Sequence, residues 1–190
     1  MASIDPKMLA LIVIAVVAAA LIVWAVVRQR RTVELQKRFG PEYERTLRTH
    51  GPGKTDAVLM EREQRVKKFT LRKLSGEERE RWITEWRTVQ SRFVDDPQRA
   101  VTEADKLVGR VMEARGYPLS DFEQRAEDIS VDHPHVVDNY RAAHEIALRH
   151  QRGEAMTEDL RRAMIYYRTL FDDLLETTNV TTVSERREVA

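Results

Sequence analysis

The feature that most restricts this chain is a run of 20 residues without a charge, MLALIVIAVVAAALIVWAVV, from Met8 to Val27. As a helix it would be about 30 Å long, the thickness of a bilayer's hydrocarbon core. It contains three Leu, three Ile and six Val, which together favour insertion by on the order of 5 kcal/mol. Trp24 stands near its far end, where an indole favours the headgroup level. A cleaved signal peptide would carry a shorter apolar region, about 7–15 residues, ending in a small-residue cleavage site. Here the small-residue patch, AAAL at Ala18–Leu21, lies mid-run, and the run leads straight into RQRR. The sequence therefore predicts an uncleaved transmembrane helix over 8–27, behind a short tail, 1–7.

Charge sets the expected orientation. Asp5 and Lys7 precede the run, whereas Arg28, Arg30, Arg31, Lys37 and Arg38 follow it. Basic flanks stay on the cytoplasmic side, so the N-terminus is expected outside and the body of the protein in the cytoplasm. Residues 28–73 hold 14 Lys/Arg and 6 Asp/Glu, and residues 74–190 hold 17 and 24. A basic stem thus precedes an acidic domain. The stem lies beside the lipid surface, where a basic residue gains about 1 kcal/mol from anionic headgroups. Arg28, Arg30 and Arg31 are the lipid-proximal set. Nucleic acid is not expected as a partner, because no aromatics interleave the charges for base stacking. The chain has no cysteine, which excludes disulfides, thiolate metal sites, iron–sulfur clusters and a cysteine nucleophile.

Within the stem, 28–74, the anchor helix is expected to run on to about Phe39. Gly40-Pro41 should break it, with Pro41 opening a short helix, and HGPG at His50–Gly53 reads as a turn. GPGKT is not a phosphate loop: the pattern needs a glycine where Arg48 stands and a buried strand before it. DAVLMEREQRVKKF reads as a solvated connecting helix, with a coiled-coil contact through Leu59 and Val66 too short to specify.

From Ser75 the pattern sharpens into an acidic helical bundle, 75–176. Ser75 and Glu78 have capping-box spacing. Trp82, Trp86, Val89 and Phe93 then form one stripe, with both tryptophans read as core. Asp96 caps a second helix that Pro97 opens, burying Val101, Ala104, Leu107, Val108, Val111 and Met112. Gly116 fits its C-terminal cap. SDFE, Ser120 to Glu123, reads as another capping box, for a helix carrying Phe122, Ala126 and Ile129. A fourth helix is expected from Pro134 to Arg152, closed by Gly153, with Val136, Tyr140, Ala143 and Ala147 inward. Thr157 caps the last, whose stripe is Leu160, Ala163, Met164, Tyr167, Leu170, Phe171 and Leu174. Nothing reads as strand. The fold class is all-α: one N-terminal transmembrane helix, a helical stem and a compact antiparallel bundle of about five helices. Residues 177–190 read as a disordered tail.

The chemistry-bearing stretch is DISVDHPHVVDNYRAAH, residues 128–144. Asp132 or His133 before Pro134 is the pattern of a helix start, with His135 facing solvent. The functional alternative is a metal site of His133, His135 and Asp132, or a hydrolytic site that adds His144. Helical metal sites place their ligands three or four residues apart. His144 and His150, six apart, do not share a face. Asp173 and Glu176 in FDDLLE share one, which reads as wet surface. No catalytic constellation emerges, no cofactor and no small-molecule substrate is implied, and the reading points away from an enzyme.

The run FVDDPQRAVTEADKLVGRVMEARGYPLSDFEQRAEDISVDHPHVVDNYRAAHEIALRHQRGEAMTEDLRRAMIYYRTLFDDLL, with RFGPEYERTL upstream, resembles a family of uncharacterised bacterial proteins with one N-terminal membrane helix, a charged stem and a helical C-terminal domain. RGYP, DFEQRA and SVDHP carry the resemblance, over roughly residues 30–176. It implies bacterial origin and membrane attachment, and it carries over no catalytic residues. The expected function is a membrane-anchored adaptor that binds the bilayer through 8–27 and a protein partner through exposed groups around Tyr140, Arg141 and His144. The alternatives are the metal-binding or hydrolytic domain above, and an envelope accessory protein facing the periplasm.

Overall fold

The computed structural model describes residues 6–176, except for the side chains of residues 6–11 and 13. The expected disordered tail, 177–190, lies outside the described residues. Every regular element among them is a helix, and the chain divides into two compact units, Met1–Leu59 and Met60–Ala190.

The first unit holds α1 (Pro6–Phe39), α2 (Pro41–His50) and the opening of α3 (Thr55–Val66). Gly40 breaks α1 from α2 at φ +49 and Pro41 starts α2, because proline has no N–H to lose in a first turn. Residues 51–54 make the turn into α3, where the Thr55 hydroxyl and N–H both donate to the Gly51 carbonyl. Asp56 on α3 gathers the three helices. Its carboxylate accepts from Thr32 of α1 at 2.5 Å and from Tyr43 of α2 at 3.1 Å. Leu35, Phe39, Tyr43 and Leu59 are buried.

The expected transmembrane helix is not shown: among the described residues, no helix is long and apolar enough to cross a membrane. The side chains of residues 8–11 and 13 of the uncharged run lie outside the described residues.

The second unit is a helical bundle of α4 (Gly76–Arg92), α5 (Pro97–Ala114), α6 (Phe122–Asp132), α7 (Val137–Gln151) and α8 (Thr157–Glu176). Ser75 and Glu78 form the expected reciprocal capping box, and Asp96 caps α5 by accepting from Arg99 N–H. At α6 the cap is Asp121, which accepts from Gln124 N–H, and not Ser120. Trp82 and Trp86 are core, each 5 % exposed, and Trp86 stacks on Phe171 of α8 at 4.9 Å. Every residue of the expected α5 and α8 stripes is buried.

The bundle is not wholly antiparallel. Two hairpins are: α4/α5, bridged by Arg110–Glu85 and Arg92–Glu103, and α7/α8, bridged by Arg149–Asp159 and His135–Asp173. Between hairpins, Arg115 at the end of α5 donates to the Leu174 carbonyl near the end of α8 at 2.6 Å. These two helices therefore run in the same sense. The segment 67–74, expected in a solvated stem, lies against the bundle. Arg72 N–H donates to the Arg115 carbonyl at 2.8 Å and Phe69 meets Tyr117 edge-on. Gly116 permits this approach. At φ +98 its missing Cβ would stand 2.3 Å from the Thr70 carbonyl oxygen, a contact no side chain can make.

Candidate functional site

The histidines do not open a helix. Asp132 ends α6 and His133 is its C-cap, donating its N–H to the Ile129 carbonyl at 2.8 Å. Pro134 stops the helix before it and starts none after it, because the residue preceding a proline is pushed out of the helical region. His133 accordingly sits at φ −128, ψ 48. Residues 134–136 form a turn, and α7 begins at Val137 with no side-chain cap. The expected cap role of Asp132 or His133 is thus overturned.

The turn points both imidazoles at α8. His133 is fully buried and its Nδ1 is hydrogen-bonded to Asp173 Oδ2. His135 is exposed, as expected, and its Nε2 lies 2.9 Å from Asp173 Oδ1. Burial opposes the charge on Asp173, but the hydrogen bonds and positive potential of the two histidines outweigh it and hold its carboxyl below the usual aspartate range. Asp132 takes no part; it accepts from the Tyr117 hydroxyl at 3.0 Å. Nor does His144, which stacks on Phe122 at 3.6 Å. Among the described residues no group of three or more His, Asp or Glu could hold a metal ion. The Ser130 hydroxyl donates to the Glu127 carbonyl at 2.6 Å. One carboxylate thus joins the α6–α7 turn to α8.

The expected contact residues are placed differently from one another. Tyr140 is buried rather than exposed. Burial pushes its phenol well above the usual range, as it does for Tyr167, with Asp105 adding to both shifts and Arg125 opposing them. Neither phenol can serve as a base near neutral pH. The Arg141 side chain is 9 % exposed and lies 3.4 Å from Glu123. Burial lowers the pKa of His144, against Asp105.

Two further constellations were not legible in the sequence. Arg65 reaches Asp128 at 2.7 Å and Glu127 at 2.9 Å, while Arg62 reaches Glu127 at 3.1 Å. Asp128 is buried and also accepts from Gln124, so DISVDHP contributes a structural anchor in place of an acid. The other is a groove of about 650 Å³ between α4 and α5, lined by Val89, Lys106, Gly109, Glu113, Leu119 and Arg125 among others. Gly109 opens its floor: a Cβ there would meet Arg125 Nη1 at 2.9 Å. Leu119 stands 76 % exposed at its edge. Arg65 could not be found from sequence, and Asp173, expected as wet surface, could not be tied to the histidines, because their partners lie 63 and 40 positions away with no periodic signal linking them.

Comparison with family models, with curated proteins and with solved structures finds no match. The function therefore has to be argued from this geometry alone.

Proposed function

We propose that the chain is a membrane-tethered helical interaction module, held by residues 8–27 in the bacterial inner membrane with its bundle in the cytoplasm. One observation carries this reading. From Ile14 to Val27 every described side chain of α1 is exposed, and the apolar ones cover all sides of the helix, with Ile14, Leu21, Ile22 and Trp24 each about 60 % exposed. A helix apolar all round is stable when it is enclosed by a protein core or by lipid, and an exposed apolar surface this continuous marks an interaction site. The uncharged run extends back to Met8 in the sequence, which gives the 20 residues that a bilayer requires.

The bundle supports a binding role rather than a catalytic one. His133 and His135 are engaged by Asp173 and His144 stacks on Phe122, the bundle's buried phenols are held neutral, and its groove is lined by alternating charges with Leu119 as an apolar edge. Such a rim-and-anchor arrangement fits a protein partner. Reporter fusions at the C-terminus test the orientation. A fluorescent-protein fusion is expected to be bright and an alkaline phosphatase fusion inactive; the reverse pair would refute the cytoplasmic placement. A photo-crosslinking residue at Leu119 is expected to capture one discrete partner band, absent when placed at Ser91 on the exposed face of α4.

A further inference from the structure

Most arginines of the second unit are paired; Arg65, Arg72, Arg92, Arg110 and Arg161, for example, each lie within 4 Å of a carboxylate. Arg28, Arg30 and Arg31 differ. All three are exposed and none has a carboxylate partner among the described residues, although Glu34 is one turn away. They begin at the residue after Val27, where the apolar surface of α1 stops. At about 100° per residue they stand at roughly 0, 200 and 300° around the helix, so they form a collar and not a stripe. The Arg28 guanidinium lies 5.3 Å from the Trp24 ring centroid, one turn back. That pairing draws the cation toward the level of the indole.

We infer that Arg28, Arg30 and Arg31 form a headgroup-binding collar selective for anionic over zwitterionic phospholipid. The inference rests on the membrane tether proposed above. Three guanidiniums at one depth have no intramolecular carboxylate to displace before they bind, and their positive charge favours a headgroup whose phosphate is not offset by its own choline. Trp24, within reach of Arg28, reports on the same layer. Trp82 and Trp86 are core residues of the bundle, and a variant lacking Trp24 separates their signal from its own.

The test uses the full chain reconstituted in phosphatidylcholine vesicles with about 30 mol % phosphatidylglycerol, with bromine on the acyl chains of one lipid or the other. Tryptophan quenching is read against a Trp24→Phe control. Brominated phosphatidylglycerol is expected to quench at least about twofold more per mole than brominated phosphatidylcholine. The preference should fall to about one in Arg28→Gln/Arg30→Gln/Arg31→Gln and at high salt, and survive in the triple lysine variant. Equal quenching by the two lipids in the unmodified chain would overturn the collar and leave the tether standing. No quenching of Trp24 by either lipid would overturn the tether, and the collar with it. Quenching preference retained in the triple glutamine variant would assign the selectivity to other groups and refute this one.

Discussion

Replacing Asp173 by alanine removes the acceptor of two imidazoles at once. His133 is fully buried, so its Nδ1–H loses a partner and cannot regain one from water; stranding such a group costs about 1–3 kcal/mol. The His135 side chain is 65 % exposed and its contact contributes at most about 1 kcal/mol. The expected loss is therefore about 2–3 kcal/mol at pH 7, most of it through His133. Asp173→Asn keeps one oxygen acceptor and should lose about half as much. The assay is urea unfolding of the full chain in mild detergent, followed by fluorescence of the bundle tryptophans Trp82 and Trp86. Its pH dependence has a definite sign. The folded Asp173 carboxyl lies below its ordinary value. Its contribution is thus fully present above the unfolded aspartate value of about 3.9 and is lost as pH falls through the lower folded one. The gap between the parent chain and Asp173→Ala should hold from about pH 7 to 5 and narrow below about pH 4. A loss under about 0.5 kcal/mol, the range of an ordinary surface substitution, or one confined to His135→Ala, would refute the account of the junction.

Gly116→Ala should cost about 2 kcal/mol or more and lower the melting temperature, because φ +98 and the 2.3 Å approach of Thr70 both exclude a Cβ. Leu107→Ala, at a fully buried position in α5, should cost about 2–5 kcal/mol in the same unfolding assay. Ser75→Ala removes half of the α4 capping box and should cost about 1 kcal/mol. Arg65→Ala should destabilise more than Arg72→Ala, since only Arg65 leaves a buried carboxylate, Asp128, short of a donor.

The helices were legible because their signals are local. Ser75, Asp96, Gly116 and Gly153 punctuate the chain through backbone chemistry that needs no distant partner, and the stripes of α5 and α8 follow a helical period that survives burial. Phe39, Gly40 and Pro41 marked the first break for the same reason. Two local signals misled. Ser120 and Asp121 both suit a cap and stand side by side, so the spacing alone could not choose between them. Pro134 was ambiguous as well, since a proline can open a helix or forbid the preceding residue from continuing one; here the second effect ends α6. The site was less legible than the fold. Its three members come from the α6–α7 turn and α8, and nothing in the local pattern around Asp173 distinguishes it from a solvated helix residue; only the packing of α8 beside His133 does. The helical spacing already placed Tyr140 on the inner face of α7, as its burial shows, and only the expectation that it offers an exposed contact fails.

The claim on which the rest depends is that the apolar opening stretch stays attached and embedded in lipid. Alkaline carbonate extraction of membranes from cells expressing the full chain, followed by N-terminal sequencing, tests it most directly. The chain is expected in the membrane pellet with residues 8–27 intact. Recovery in the supernatant, or a mature N-terminus beyond Val27, would contradict it.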